Sequence, residues 1–543
     1  MKLKLKSVLA SLLPLCVAAL PLGLRASEKD SVGPGLTTVR LSLPGEGRVH
    51  SPIPASVLDA LEMEDAVRLA EERNPVIQEK YQLYVASGNQ LGAAYAAWWP
   101  TLKADLDFGW YGEQAYYNYV GALSGISTTS IFSGESSLFG DNSSFGSIGQ
   151  AGSSCSAPQY LGCKAFTSSY WQGVSRLDLD WKIYDPARQP RIDKNQSLVD
   201  EASSDYVISR RDYQLRTREA FVKLQKSIAG VETSSQLVEN DQLLLGLARA
   251  RQRLGVASEL DIAKQVTVLK SDQVNQVTSQ RSARVSQSEL AQLLNDPFAN
   301  SIRPASALMP IGGWPTSLQD TISAALAYRQ VIEKQLAVVR QNENQARIDL
   351  AVYLPTISLV NSLYWTKGVG YTGLGPPWII ESARSDLWNA QSLLKVTFTG
   401  FDGGQARMEA AASKARALSA KSAVEDAVNT VVAEVRQYYS QVDEGRQAVI
   451  VASERVDAAS SALRLQAMRF TAGYGTITDV VQSQQDLTQS VDAYIEQLAD
   501  YNLALVNLSR ASGIDYAPDE ELAAQVGNPL QQVRVGDILG LPR

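Results

Sequence analysis

The stretch Arg469-Phe-Thr-Ala-Gly473-Tyr-Gly-Thr-Ile-Thr-Asp479 separates two long helical patterns near the end of the chain. An earlier stretch, Arg251-Gln-Arg-Leu-Gly255-Val-Ala-Ser-Glu-Leu-Asp261, has arginine, glycine and aspartate at the same spacing. Such a glycine is typical of a residue that ends a helix, and the acid favours the first turn of the next helix. The repetition predicts two helical hairpins, with tips at these two stretches, in one internal repeat.

Apolar residues recur at every seventh position on the helical segment before each tip. They are Leu224, Val231, Val238 and Leu245 in the first copy and, at the equivalent positions of the second copy, Val442, Val449, Val456 and Leu463. A strict seven-residue repeat predicts under-wound helices that supercoil around their neighbours. A helix from residue 188 to 252 would be roughly 100 Å long, so each hairpin belongs to a long helical stalk.

The hydrophobic period changes to two after a proline in each copy. Residues 65–101 and 320–356 align without a gap, and each is read as one helix ended by proline. Two strands of about ten residues follow in each copy. Their apolar positions include Leu102, Leu106, Phe108, Trp110, Leu177, Leu179, Ile357, Leu359, Leu394 and Val396. The pattern fits strands with one face on lipid and one on water, or a half-exposed soluble sheet. Four strands cannot close a barrel, so the membrane interpretation requires several chains.

These patterns predict a mixed α and β fold with a two-fold internal repeat. The first repeat covers residues 61–300, a linker 301–316, and the second repeat 317–513. Residues 27–60 are predicted to be a flexible tether and residues 514–543 a poorly packed tail. The first strand hairpin is longer than the second by a Gly- and Ser-rich segment at 120–170, which we expect to be an outer-surface loop.

Residues 1–26 have the features of a secretory signal peptide: three lysines, an apolar run and a small residue at the end. The alternative, a transmembrane helix, is disfavoured because prolines interrupt a run that is already short. Export makes Cys155 and Cys163 a candidate disulfide that closes a surface loop, with two free thiols as the alternative.

Composition excludes several classes of function. The formal net charge of −7 argues against a nucleic-acid partner. His50, the one histidine in the sequence, lies in the tether, so His-dependent triads and metal sites are excluded. We therefore predict no catalytic residue, no cofactor and no metal site, and no enzyme activity.

Residues 61–513 resemble the TolC-type outer-membrane efflux family. The resemblance is carried by the two tip motifs, by Asn74-Pro75 in the opening helix and by the closing run 494–513. It implies a homotrimer in the outer membrane, whose chains contribute four strands each to a twelve-stranded barrel and line a periplasmic helical tunnel. It also implies a passive duct for efflux or type I secretion. A periplasmic adaptor would dock on the tips, and an ABC-type or proton-driven inner-membrane pump would supply the energy.

The resemblance assigns roles to the tip residues. Those that match the adaptor-docking segments of relatives are Leu254, Gly255, Val256, Ala257, Ala472, Gly473 and Tyr474. The alternative for the two glycines is that they serve only as helix C-caps.

The resemblance also points to a periplasmic aperture closed by an aromatic residue, an arginine and acids. Phe470 matches the aromatic position, Gly475 replaces the arginine, and Gln482 replaces one acid. Asp479 matches the remaining acid and Asp261 its partner in the first copy. Three Asp479 carboxylates in one ring would bind cations and raise one another's pKa. The alternative is an acid that merely stabilises the first turn of its helix.

The competing function is a non-conducting structural or adhesive coiled-coil protein of the envelope. The alternating strands and the long inserted loop argue against it, because a coiled coil needs neither.

Overall fold

The computed structural model describes residues 53–118, 163–255, 257–296, 299, 301–375 and 379–526. The predicted signal peptide, most of the tether, Cys155, Val256 and the centre of the long loop lie outside the described residues, as does the side chain of Cys163.

Long helices and one four-stranded sheet form the described chain. The helices are α1 Ala55–Leu58, α2 Met63–Arg73, α3 Pro75–Ala96, α4 Arg188–Arg253, α5 Glu259–Leu293, α6 Leu318–Tyr328, α7 Gln330–Leu350, α8 Gln405–Thr471, α9 Ile477–Ser512 and α10 Glu520–Val526. The strands are β1 Thr101–Asn118, β2 Cys163–Tyr184, β3 Thr356–Gly375 and β4 Ile379–Thr397. The sheet is antiparallel in the order β1-β2-β3-β4. The predicted fold class and four strands are confirmed.

Two helices of 66 and 67 residues, α4 and α8, form the predicted stalk. Their starts follow acids whose carboxylates accept backbone N–H groups: Asp185 from Ala187, and Asp402 from Gly404 and Ala406. The seven-residue stripe of α8 is buried at all four predicted positions, whereas on α4 Val231 is only half-buried. The stripes pack α4 against α5 and α8 against α9, so the two hairpins are held by apolar side chains.

The predicted opening helix of each copy is two helices. Asn74 and Arg329, which occupy equivalent positions in the two copies, have extended backbones between α2 and α3 and between α6 and α7. Pro75 restricts Asn74 to that conformation, and the Asn74 side chain accepts the N–H of Val76. No proline follows Arg329; its guanidinium instead bonds Glu434 at 2.7 Å and the carbonyl of Ala511. The break is therefore decided by sequence in the first copy and by tertiary contacts in the second.

The strands are twice as long as predicted, with 18, 22, 20 and 19 residues. Residues 163–170, assigned to the outer loop, instead belong to β2 and pair with β1, and residues 165–170 also pair with β3. The added parts of β2, β3 and β4 contain Gly, Ser or Thr, which interrupt the alternating hydrophobicity on which the prediction depended. Their backbone N–H and C=O groups pair whatever the side chain.

The predicted tail and tether are packed where they are described. Gly313 and Ala517 exchange backbone hydrogen bonds of 2.7 and 3.0 Å, and Leu522 of α10 is completely buried. Ile53 is also buried, and its N–H bonds Asp296 at 2.8 Å. These segments are too short to show a hydrophobic period, so the sequence pattern could not reveal that they pack.

Gly370 of β3 pairs with Tyr170 of β2, and a Cβ atom at Gly370 would lie 2.2 Å from the carbonyl oxygen of Ser169 and 2.3 Å from the Cα of Tyr170. At Gly368, two positions away on the same strand, the nearest atoms would be 3.6 Å away. We expect Gly370→Ala to separate β2 from β3, since backbone must move, and Gly368→Ala to be tolerated.

Limited proteolysis of the purified full-length protein checks this expectation. Cleavage within β2 or β3 should appear in Gly370→Ala and not in Gly368→Ala. Equal resistance of the two variants would contradict it.

Candidate functional site

The first tip joins α4 to α5 through a left-handed glycine. Gly255 has φ of +76°, a conformation that residues with a Cβ rarely adopt, and its N–H bonds the carbonyl of Gln252 at 2.8 Å. Ser258 then caps α5. Its hydroxyl accepts the N–H of Asp261, while the Asp261 carboxylate accepts the N–H of Ser258 at 2.9 Å.

The second tip has the same construction. Gly473 has φ of +88°, and the N–H of Tyr474 reaches back to the carbonyl of Arg469 at 2.9 Å. This bond is a Schellman closure, which satisfies a carbonyl that the helix end would otherwise leave free. Thr476 caps α9 and exchanges hydrogen bonds with Asp479. The capping role of both glycines is therefore present in the structure.

The caps lower the pKa of both tip acids. The Asp479 carboxylate is stabilised by the hydroxyl and then by the backbone N–H of Thr476, and Asp261 by the backbone N–H and then the hydroxyl of Ser258. Because each folded pKa is depressed, the caps contribute stability above the ordinary aspartate pKa and lose it as the pH falls through the depressed value. Both acids are consequently anions at neutral pH.

The two tips contact each other through Arg251. Its guanidinium carbon lies 4.2 Å from the centroid of the Phe470 ring, and its Nη1 donates to the Phe470 carbonyl oxygen. That oxygen also accepts the N–H of Gly473 at 3.1 Å. Arg251 therefore fastens the end of α4 to the last turn of α8. The sequence motif contained this arginine, yet its partner lies in the other repeat and could not be read from spacing.

The structure separates the candidate aperture residues. Phe470 is 4% exposed and lies in the core between the helices, so it is not displayed on the surface of the chain. A Cβ atom at Gly475 would lie 3.1 Å from the Phe470 backbone nitrogen, so an arginine there would require the turn to shift. Gln482 donates to Asp486 at 3.0 Å. Asp479 and Asp261 belong to separate caps, one at the start of α9 and the other at the start of α5.

The candidate docking residues form the exposed end of the stalk. Leu254 and Tyr474 are 78% and 84% exposed, and Gly255, Ala472 and Gly473 are also exposed, while Ala257 is half-buried. Large apolar side chains that stand free beside small residues make a surface with which another protein can pack.

The part of the chain that the structure describes has neither a metal-binding cluster nor a membrane-spanning helix. Within it, no group of three or more His, Cys, Asp or Glu side chains is arranged to hold a metal ion. None of its helices has an apolar stretch long enough to cross a membrane.

Comparison with known proteins identifies the family. The sequence model of the family "Outer membrane efflux protein" matches residues 66–296 and 321–514, which together are most of the chain. The chain belongs to the outer membrane efflux protein family. The matched segments coincide with the two structural repeats, each containing one strand hairpin and one tip. The predicted TolC-type resemblance is thereby confirmed.

Two curated relatives come from Pseudomonas aeruginosa. The chain is 24% identical to the outer membrane protein OprJ over 360 residues, which cover 64% of this chain and 70% of OprJ. It is 23% identical over 287 residues to the pyoverdine export outer membrane protein OpmQ, covering 52% of this chain and 57% of OpmQ.

Solved outer-membrane channels share the fold. The Campylobacter jejuni CmeC channel superposes with a TM-score of 0.64 at 14% identity over 90% of this chain and 94% of its own. The open state of the Neisseria gonorrhoeae MtrE channel gives 0.60 at 14% identity, over 83% and 89%. Family and relatives together assign this protein to the outer membrane as an efflux channel protein.

Removing the Arg251 contact should loosen the second tip. Arg251→Met keeps the aliphatic contact but loses the cation–π interaction and a charge-assisted hydrogen bond, together worth about 1–2 kcal/mol. We expect roughly tenfold faster hydrogen exchange of the amides at residues 472–474, because 1.4 kcal/mol corresponds to a factor of about ten.

The matched control is Arg253→Met, which changes an exposed arginine near the same end of α4. Its exchange should equal that of the wild type. Unchanged exchange in Arg251→Met would show that the tips are held independently.

Proposed function

We propose that three copies of this chain form one passive exit duct, with a twelve-stranded barrel in the outer membrane and a helical tunnel in the periplasm. The observation that carries the proposal is the pair of open sheet edges. Among the described residues β1 pairs only with β2, and β4 only with β3. Open edges in a membrane are unfavourable because their N–H and C=O groups have no water to bond. Joining β1 of one copy to β4 of the next removes every edge.

The strands also have the side chains that a lipid-facing barrel requires. On β1, Leu102, Leu106, Phe108 and Trp110 are exposed and alternate with polar residues along the strand. Trp98 and Trp99 are exposed at the junction between α3 and the sheet. Aromatic residues at such a junction are typical of the interface between lipid and water.

The helices have apolar faces that a single chain leaves uncovered. On α5 these are Val274, Val277 and Val285, and on α8 Val451 and Leu465, each more than half exposed. Side-by-side packing of copies would bury these faces and enclose a tunnel. The same residues would not be expected on the surface of an isolated coiled-coil hairpin, which favours the duct over a structural envelope protein.

The tips supply a surface for a periplasmic adaptor. Leu254 and Tyr474 offer apolar contacts, and the glycines and alanines beside them allow a partner helix to approach closely. In this proposal an inner-membrane pump, linked to the tips through that adaptor, supplies the energy for efflux.

Two measurements on purified protein test the duct. We expect a trimer that migrates as one band until it is heated, and single-channel currents in planar lipid bilayers. A folded protein that stays monomeric, or a trimer that conducts no current, would refute the proposal.

Asp479 is proposed to line the aperture as a ring of three carboxylates. Its lowered pKa makes each carboxylate an anion at neutral pH, although neighbouring anions in a ring would oppose that shift. Because Gly475 and Gln482 provide no ionic contact at the mouth, Asp479 is the charge that acts there on a passing ion. Asp479→Asn should therefore lower cation selectivity and abolish block by divalent cations.

Asp261→Asn is the comparison variant, since Asp261 occupies the same capping position in the other repeat and, although the resemblance places it at the aperture, it is not a member of the proposed ring. Both variants lose one cap, but only Asp479→Asn should alter selectivity by severalfold in bilayer recordings. Equal selectivity in wild type and Asp479→Asn would rule out the ring and leave Asp479 as a capping residue.

A further inference from the structure

Asp241 is a completely buried carboxylic acid in the part of the stalk that lies nearest the first tip. It lies on α4, which ends at Arg253, about 18 Å from the first tip along the helix axis. Its Oδ1 accepts a hydrogen bond of 2.7 Å from Gln484 of α9 and one of 3.2 Å from Gln265 of α5. Both glutamines are buried as well. One acid therefore joins three helices.

The second oxygen of Asp241 has no such support. Oδ2 is inaccessible to solvent and accepts no hydrogen bond from the described residues. An unsatisfied carboxylate oxygen is costly to bury. A proton on Oδ2 turns that oxygen from an unsatisfied acceptor into a donor, and Asp272 of α5 is close enough to act on Asp241 as a hydrogen-bond partner.

The charged surroundings also favour the neutral acid. Of the two helices packed here, α5 presents Gln265 and the like-charged Asp272, and α9 presents Gln484. Burial, followed by Asp272, raises the pKa of Asp241 to about 7, and this outweighs the opposing effect of the two amides.

The nearby lysines do not neutralise a negative charge on Asp241, because each acts on another side chain. On α5, Lys264 acts on Asp261 and Lys270 bonds Gln273. On α9, Asp492 is a further acid, and burial, followed by Asp272 and Glu496, raises its pKa. Lys226 of α4 pairs with Glu496 of α9 at 2.9 Å.

We propose that Asp241 is a proton-binding site inside the stalk, whose neutral form locks α4 to α5 and α9 and whose ionisation loosens this three-helix contact. An ionised Asp241 would place an unpaired charge beside Asp272 in a dry contact between helices. The helices then separate enough to admit water, because hydration is the remaining way to stabilise that charge.

The direction of the pH effect follows from the two protonation states. The ordinary aspartate pKa of 3.8 applies to the unfolded chain, and the folded pKa is higher. Between them the folded chain holds the extra proton, so stability falls as the pH rises from about 4 to about 7 and is level above that. Acidic conditions therefore tighten the stalk.

The lock occurs once per chain. In the second repeat the position equivalent to Asp241 is Ala459, and the position equivalent to Gln265 is Ser483. The α8–α9 hairpin thus has neutral residues at both positions, while the α4–α5 hairpin has a buried acid that responds to pH. Since Gln484 lies on the helix that begins beside Asp479, the response would reach the mouth of the duct; that consequence rests on the proposed function.

Hydrogen exchange on the full-length protein tests the lock without any conductance measurement. We expect the amides around Gln265 and Asp241 to exchange at least tenfold faster at about pH 8 than at about pH 5, after correction for intrinsic rates; tenfold corresponds to one pKa unit. In Asp241→Asn, which keeps the shape and one acceptor, exchange should be slow at both pH values.

Two further variants make the test decisive. Glu239→Gln removes an exposed acid from the same helix, and it should retain the wild-type pH response. Asp272→Asn removes the like charge, and its transition should move to lower pH. A pH-independent wild type, or an Asp241→Asn variant that responds like the wild type, would overturn the proposal. A pH response of hydrogen exchange in a protein that forms no trimeric channel would support the Asp241 lock and refute only the proposed duct.

Discussion

The seven-residue apolar stripe that packs each long helix on its hairpin partner is the constraint on which the structure depends. A helix of 66 residues gains little from hydrogen bonds that water could replace, so most of its stability comes from a buried face. On α8, Val449, Val456 and Leu463 are completely buried against α9. Because the apolar residues recur at every seventh position and the helices supercoil, the same face stays on the partner over the entire length. A stalk of about 100 Å follows from this packing.

The tips are stabilised because each satisfies backbone groups that the helix ends would otherwise leave free. Each uses a glycine with positive φ to close one helix and a hydroxyl–aspartate exchange to open the next. Helix capping alone accounts for an acid at Asp261 and at Asp479, whether or not either residue lines an aperture. A function in the mouth is therefore an additional role of residues that the fold already needs, and capping variants must be used as controls for it.

The two repeats share the same order of helices, strands and tip, but they differ in what breaks the opening helix and in one buried acid. Asn74 and Arg329 break equivalent helices, yet one break depends on Pro75 and the other on an ion pair with Glu434. Asp241 has an alanine as its counterpart, so a buried acid lies in one hairpin where the other has a neutral residue. Buried polar groups of this kind lower stability unless every atom is satisfied. The asymmetry places sensitivity to protons in the α4–α5 hairpin.

The sequence by itself determined the features that repeat or have a period: two copies, two tips, four strands, stalk helices and the glycines that end them. Local physics decides these features, since heptads, alternation and glycine caps act within a few residues. Only the tertiary structure decided the rest. Strand ends extend through Gly, Ser and Thr because backbone pairing continues there, and residues 514–526 pack because Gly313 and the α8 core receive them. Arg251 meets Phe470, and Asp241 meets Gln484, although each pair joins one repeat to the other. An acid within the stalk helix was a visible signal, but its meaning depended on which side chains the fold brought to it.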